Sequence, residues 1–401
     1  LKKLKISFLL ALKHIRSNHK SGFVKTASIL SVFGLSIGIA ALLITLFILN
    51  GFERVISEKI TEVDGHIRIK HFLSEPFSPF DYDLEDKLSI DSKNISIGSF
   101  TQNPALLRKG QIAEGVIVEG VHPNNLRFAT KLIVEGSSNL SVKGVIIGKR
   151  LADMYSISLN DKITLFDLSS LHLNSKRFMQ FTVEGIFHSG MTEYDKSSVF
   201  MNISNSKKLF NLDEKISGYV LRLKNLNDLN SIFKSINSKI SYPLMALTWK
   251  EKNRALYKWL NVQRWPILFI FSLITLVGII NIFSSLSMII IDKTKQIGIL
   301  SAIGMPSSKI KDIFLVKGLI IGSLGAVFGS LIAVFLASLQ NNFKIIGIPE
   351  DIYFMNFIPI DINYSQILII SIITLVVSCF VSYWPAMQSM KIKPSQALKY
   401  E

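Results

Sequence analysis

The sequence predicts an α-helical membrane protein with four transmembrane helices and a large mixed α+β domain inserted between the first and second of them. Three observations predict it. Four runs, 26–52, 265–291, 318–343 and 362–390, contain no Asp, Glu, Lys or Arg, and each exceeds the ~20 residues that cross a hydrocarbon layer of ~30 Å. Composition agrees, with 49% apolar residues and a mean hydropathy of +0.37 over 401 residues. The third observation is where the charge falls. Residues 1–25 carry seven basic and no acidic side chains, 292–317 five and two, and 391–401 three and one, so twelve of the sixteen net positive charges lie in these segments. By the positive-inside rule both termini and 292–317 are cytoplasmic and the large insertion lies outside. With the charge so placed, a nucleic-acid surface is not needed to explain it.

In chain order, 1–25 is a cytoplasmic N-terminal segment in which Leu4, Phe8, Ala11, Leu12 and Ile15 recur at helical spacing. An amphipathic helix on the membrane surface and a plain topology-setting basic tail both fit. Span 1, 26–52, is too long for a signal peptide and is expected to stay as an anchor. Its Gly34 and Gly38 have the G-x-x-x-G spacing that lets helices approach closely, and Arg54 with Glu58 at i,i+4 predicts that the helix continues out of the membrane.

The inserted domain, 53–264, shows strand-like runs at 66–70, 105–108, 115–121, 145–147, 162–166, 178–187, 199–202 and 218–224, with short helices at 149–156, 205–210 and 227–236. That is enough chain for one core or two subdomains. Residues 248–264 lack Gly and Pro and predict one helix running into span 2, 265–291, continuous or slightly kinked at Pro266, so that movement of the domain is carried to the span. Trp259 and Trp265 suit the membrane interface, and plain anchoring explains them equally well.

The cytoplasmic loop 292–317 predicts two short helices, 296–302 and 309–314, broken by Gly304, Met305 and Pro306. Such a loop is either an ordinary connection or a coupling element that seats in a cytoplasmic ATPase. Span 3, 318–343, places Gly318, Gly322, Gly325 and Gly329 on one helix face, a pattern for tight packing on another helix of the chain. A periplasmic loop, 344–361, span 4, 362–390, and a cytoplasmic tail, 391–401, complete the chain.

Several of these stretches carry a family resemblance. Gly298, Ile299, Leu300, Ala302 and Gly304 spell G-I-L-x-A-x-G ahead of the glycine-rich span, N-G-F-E closes span 1 at 50–53, and blocks 144–166, 181–202 and 248–264 follow in order. Pro394, Ala397, Leu398, Tyr400 and Glu401 end the chain. In the first motif the chain resembles the FtsX-type ABC permeases, with 265–394 as the permease region and a MacB-like core in 53–264. Along nearly its whole length it is similar to the lipoprotein-releasing (Lol) permease subunits.

The resemblance implies an inner-membrane protein of a diderm bacterium. Its partners would be a cytoplasmic ABC ATPase subunit, a second permease subunit (the same or homologous), a lipoprotein substrate, a periplasmic lipoprotein chaperone and membrane lipids. It implies no enzyme activity and no cofactor on this chain, with ATP and Mg on the partner ATPase. The alternatives are a permease of another FtsX/MacB-type complex, an exporter or a cell-wall regulator, and a membrane-bound sensor, which would need a larger cytoplasmic part.

Three sets of residues are expected to matter. Gly298, Leu300, Ala302, Gly304 and Met305 would form the ATPase contact. Leu46, Ile48 and Leu49 with Phe269, Phe271 and Ile274, at the outer ends of spans 1 and 2, would line an apolar groove for acyl chains, or would be ordinary packing and lipid-facing residues. By the resemblance, Leu171 and Leu173 in the segment 167–176, with Arg177 and Gln180, would touch the chaperone, unless that segment is only a connecting loop.

Catalytic and metal chemistry find no support. The seven histidines are scattered, the one cysteine, Cys379, lies in span 4, and His66 and His71 are at odd separation on an expected strand. Gly144, Gly148 and Lys149 lack the four-residue spacing of a phosphate loop, and Arg150 stands where its Ser or Thr belongs. No span carries an Asp, Glu, Lys, Arg or His side chain, which argues against an ion-coupled carrier.

Overall fold

The computed structural model of the protein describes residues 22–82, 95–122, 130–170, 176–224, 228–349 and 355–392. The chain divides into two compact units. One comprises Leu1–Glu53, Trp259–Gly347 and Phe357–Glu401, the other Arg54–Lys258 with Ile348–Asn356.

Helix α1 (Gly22–Asp64) is 43 residues long, about 65 Å at 1.5 Å per residue, so it extends well past a hydrocarbon core. After it come β1 (Ile67–His71), β2 (Ile95–Lys109), β3 (Ile112–Val121), β4 (Ile133–Gly136) and β5 (Gly144–Gly148), which leads into α2 (Lys149–Met154). The next pair, β6 (Lys162–Asp167) and β7 (Phe178–Phe187), is followed by α3 (Thr192–Ser197), β8 (Ser198–Asn202) and α4 (Ile203–Phe210). The domain closes with β9 (Gly218–Leu223), α5 (Leu229–Lys239), β10 (Leu244–Thr248) and the single turn α6 (Trp249–Lys252).

Pairing turns most of these strands into a closed ring. β2 pairs with β3, β3 with β8, β8 with β5, β5 with β7, β7 with β6, and β6 returns to β2. Alternate residues of each strand point inward, as a period of two requires: Ala105 and Leu107, Val116 and Val118, Val145 and Ile147, Ile163 and Leu165, Phe181 and Val183, Val199 and Met201 form one buried cluster. A lateral extension, β9–β1–β10, joins through the first half of β2. This is why β2 begins at Ile95 rather than at 105. One of its edges serves β9 up to Phe100 and β6 from Ala105, and Pro104 falls in the gap between them, where a missing N–H leaves no ladder bond unmade.

The first of these units contains α7 (Arg254–Asp292) from Trp259 onward, α8 (Thr294–Ala302), α9 (Ser307–Phe343) and α10 (Tyr364–Ser389), with the first part of α1. Four helices, α1, α7, α9 and α10, are long and apolar enough to cross a membrane. The glycine face of α9 serves two neighbours rather than one. Gly318 and Gly322 lie against Ser382 and Ser378 of α10, whereas Gly325 and Gly329 lie against Leu35, Ser36 and Ile39 of α1. On its other side α1 meets α7, with Gly38 against Thr275 and Gly278 against Leu35. Leu35, Ile39, Leu43, Phe47, Ile282, Leu286, Ile321 and Ala333 fill the space between.

Two predicted helices are drawn differently. The expected helix at 309–314 is not separate: it is the first part of α9, since Pro306 fixes the start and no Gly or Pro interrupts 307–317. The helix expected over 248–264 breaks at Asn253, whose backbone leaves helical geometry at φ −102°, ψ 34°. Thr248 and Glu251 form a capping box that starts α6, and the Asn253 side chain donates to the Trp249 carbonyl at 2.9 Å, sharing it with the Asn253 amide at 3.1 Å. His66 precedes β1 rather than sitting on it with His71.

Candidate functional site

The loop between α7 and α9 is short and well packed on one side. Ile297 and Gly298 are buried, Leu300 is half-buried, and Met305 packs on the helix core. Gly304 takes φ +92° with open space around its α-carbon, a left-handed turn that favours glycine. Of the five residues predicted to touch an ATPase, Ala302 and Gly304 are exposed. Beside them stand two residues outside that set of five, Ile299 and Ile303, the latter 80% exposed. Both isoleucines are held outward at the turn.

At the other end of α1 and α7, Leu46, Ile48 and Leu49 are half-buried, Ile48 against the helix core, while Phe269 and Ile274 are exposed and Phe271 half-buried. Arg264 joins the two helices there, donating to Asn50 at 3.2 Å and lying 3.7 Å from the Glu53 carboxylate. A well-formed apolar cleft of about 480 Å³ lies elsewhere, between α1 and α9, lined by Ile29, Val32, Phe33, Ile320, Leu324 and Phe328 among others. Between β6 and β7, Leu171 and Leu173 fall outside the described residues. Gln180 is exposed, but Arg177 is engaged, 3.5 Å from the Asp167 carboxylate and donating to the Phe210 carbonyl at 3.1 Å.

The large domain holds a charged cluster that no motif announced. Asp64, the last residue of α1, accepts from Tyr194 of α3 and from Lys252 of α6, each at 2.5 Å, and pairs with Arg68 of β1 at 3.2 Å. Arg68 is buried, forks onto both carboxylate oxygens of Glu119 on β3 at 3.0 and 3.2 Å, and lies over the Phe100 ring. Burial alone would lower the Arg68 pKa, but Glu119 and Asp64 outweigh it and raise it, as paired charges in a poorly solvated site do. Lys252 is pushed the other way, lowered by burial and then by Arg68. Arg222 closes the same helix end, donating to the carbonyls of Thr61, Glu62 and Val63 at 3.1, 2.7 and 2.9 Å. Those are carbonyls a helix C-terminus leaves without a ladder partner, and Gly65 with φ +75° lets the chain turn away. The only sequence traces of this cluster were the Asp64–Arg68 i,i+4 spacing and the tyrosine of the E-Y-D segment at 193–195.

Residues 28–239 match the MacB-like periplasmic core domain, and residues 268–394 match the FtsX-like permease C-terminal region. The chain belongs to the MacB- and FtsX-like permease family. Among curated relatives it is similar to the lipoprotein-releasing system transmembrane protein LolC of Xylella fastidiosa, 25% identical over 99% of both chains. It is 28% identical to LolC of Buchnera aphidicola from Acyrthosiphon pisum, again over 99% of both, and 25% identical to the lipoprotein-releasing system transmembrane protein LolE of Haemophilus influenzae over 98% of both.

The two matched regions separate the features described above. The charged cluster lies outside the FtsX-like region, and the α8 turn lies inside it. The E-Y-D segment has a structural role at its tyrosine and its aspartate. Tyr194 binds Asp64, and Asp195 accepts from the Ser189 hydroxyl and the Ser189 and Gly190 amides while pairing with His188 at 2.8 Å. Gly148, in the run that mimics a phosphate loop, lies against the Asp195 backbone.

Proposed function

We propose that this permease is the membrane subunit of an ABC complex that takes acylated lipoproteins from the outer leaflet of the inner membrane and passes them to a periplasmic chaperone. The observation that carries this is the match over 98–99% of both chains to several lipoprotein-releasing transmembrane proteins. Both termini and the α8 turn then face the cytoplasm, where a separate ATPase subunit holds ATP and Mg, and a second permease, identical or homologous, completes the complex.

The chemistry of the surfaces supports the assignment. Ala302 with Ile299 and Ile303 offers a small apolar knob on a rigid turn, suited to a groove in the ATPase. Phe269, Phe271 and Ile274 with Leu46, Ile48 and Leu49 offer apolar area to acyl chains, and each buried CH₂ adds about 0.8 kcal/mol, so the substrate is held without charged contacts.

The test is reconstitution of the purified complex in liposomes loaded with a fluorescent triacylated lipoprotein. ATP is expected to move the lipoprotein to a soluble acceptor, and no transfer to any acceptor would refute the assignment. In the same assay Ala302→Arg should leave ATP hydrolysis running while transfer falls at least ~10-fold, the effect of wedging a solvated charge into a packed contact. Transfer at the wild-type rate in that variant would remove the turn from coupling.

A further inference from the structure

The two long helices end differently in the large domain. α1 arrives as one unbroken helix, and its last turn is fixed by Arg222 on three carbonyls, by Gly65 in its left-handed turn, and by Asp64 in the charged cluster. Val63 adds an apolar anchor, buried with Ile146, Phe187 and Phe200 on the ring of strands. α7, by contrast, begins only after the break at Asn253, and the turn before that break, α6, belongs to the domain through its Thr248–Glu251 capping box. A fixed rod and a jointed rod therefore enter the same base.

Lys252 stands one residue before the joint and reaches the final residue of the fixed rod. Its ammonium meets the Asp64 carboxylate at 2.5 Å, and its side chain is 31% exposed whereas those of Asp64 and Arg68 are 3% and 4% exposed. Asp64 keeps Arg68 and Tyr194 when Lys252 leaves, so this contact can open without stranding a buried charge. Beyond the joint, Tyr257 backs the same arrangement: its ring stacks edge-on against Trp249 at 4.9 Å and its hydroxyl lies 3.0 Å from the Ser57 hydroxyl of α1.

We infer that Lys252 is a positioning residue for lipoprotein release, a latch that ties the Asn253 joint to the fixed end of α1. While the latch is closed, a displacement of α7 moves the domain; with it open, the displacement is spent in the joint. The inference rests on the release reading for its functional consequence and on geometry alone for the joint.

The test uses the full complex in liposomes, with spin labels at Glu62→Cys and Lys258→Cys in a Cys379→Ser background. Lys252→Met should broaden the distance distribution between the labels and lower lipoprotein released per ATP hydrolysed about tenfold, the scale of one lost charge-assisted hydrogen bond. Thermal stability should fall by no more than that one contact is worth, and Lys252→Arg should restore both readouts. Asp64→Asn, which keeps the shape, should broaden the distances in the same way. A narrow distribution with wild-type release per ATP in Lys252→Met overturns the latch. So does a loss of stability, ATP hydrolysis and release in equal proportion, because that is what a merely structural lysine would give. If the wild-type complex releases no lipoprotein, the release reading fails, and the label distances still decide the joint.

Discussion

Burial sets the protonation of His66. Its Nδ1 accepts the Leu223 amide at 3.0 Å, and burial, followed by the charge of Arg222, pushes its pKa from 6.5 down to about 4. The folded chain thus keeps His66 neutral where the unfolded chain has already taken a proton. Because the unfolded state binds more protons between about pH 6.5 and 4, stability is complete above that window and is lost as pH falls through it. Allowing for the partial solvent exposure of the ring, the loss is of the order of 2 kcal/mol. Chemical unfolding of the detergent-solubilised protein at pH 7 and pH 4.5 should show it, and His66→Asn should flatten that part of the pH dependence. An unchanged slope in the variant would assign the acid sensitivity to other groups. Sequence reading handled this residue only as a rejected metal ligand. Its partners come from strands far along the chain, and no local pattern announces them.

At the scale of elements the helices were readable because an uncharged run of more than 20 residues has few alternatives, and the glycine spacing on 318–329 announced a close-packed face. The identity of the neighbours was not readable, since spacing fixes a face and not what it meets. Strand β2 was half missed because Pro104 reads locally as a breaker, whereas pairing on both edges holds the chain extended through it. The helix break at Asn253 was missed because asparagine is only a weak helix breaker until its side chain finds the Trp249 carbonyl. The glycine face yields a direct prediction. A side chain at Gly322 would run into Ser378, so Gly322→Leu must separate α9 from α10 at a cost of about 1–3 kcal/mol by overpacking. Val327→Leu, on the outward side of the same helix, should be near neutral. Thermal unfolding of both variants in one detergent measures the difference, and equal melting temperatures would refute the packing role.

Over the whole molecule, membrane anchoring and an inserted α+β domain could be read from charge and hydropathy, while the closed ring of strands could not, because β6 returns to β2 across more than fifty residues of sequence and register is not written locally. That ring frames the segment from Asp167 to Arg177. Its base is firm: the Phe166 and Phe178 rings lie 5.3 Å apart, and Ser170 accepts the Arg177 amide and donates to the Asp167 carbonyl. Arg177 belongs to that base, and the remaining residues expected to touch a chaperone are Leu171, Leu173 and exposed Gln180. We therefore predict that Leu171→Ser with Leu173→Ser weakens binding of the purified complex to its periplasmic chaperone about a hundredfold, from two leucines each worth ~1.5 kcal/mol or more on burial. ATPase assembly and thermal stability should stay at wild-type values, because the base is untouched. Arg177→Ala should instead lower stability, since it frees the Asp167 carboxylate and the Phe210 carbonyl. Binding by fluorescence anisotropy alongside a melting curve separates the two effects. Undiminished binding in the double leucine variant would place the chaperone on another surface of the domain and leave this segment as a connection between β6 and β7.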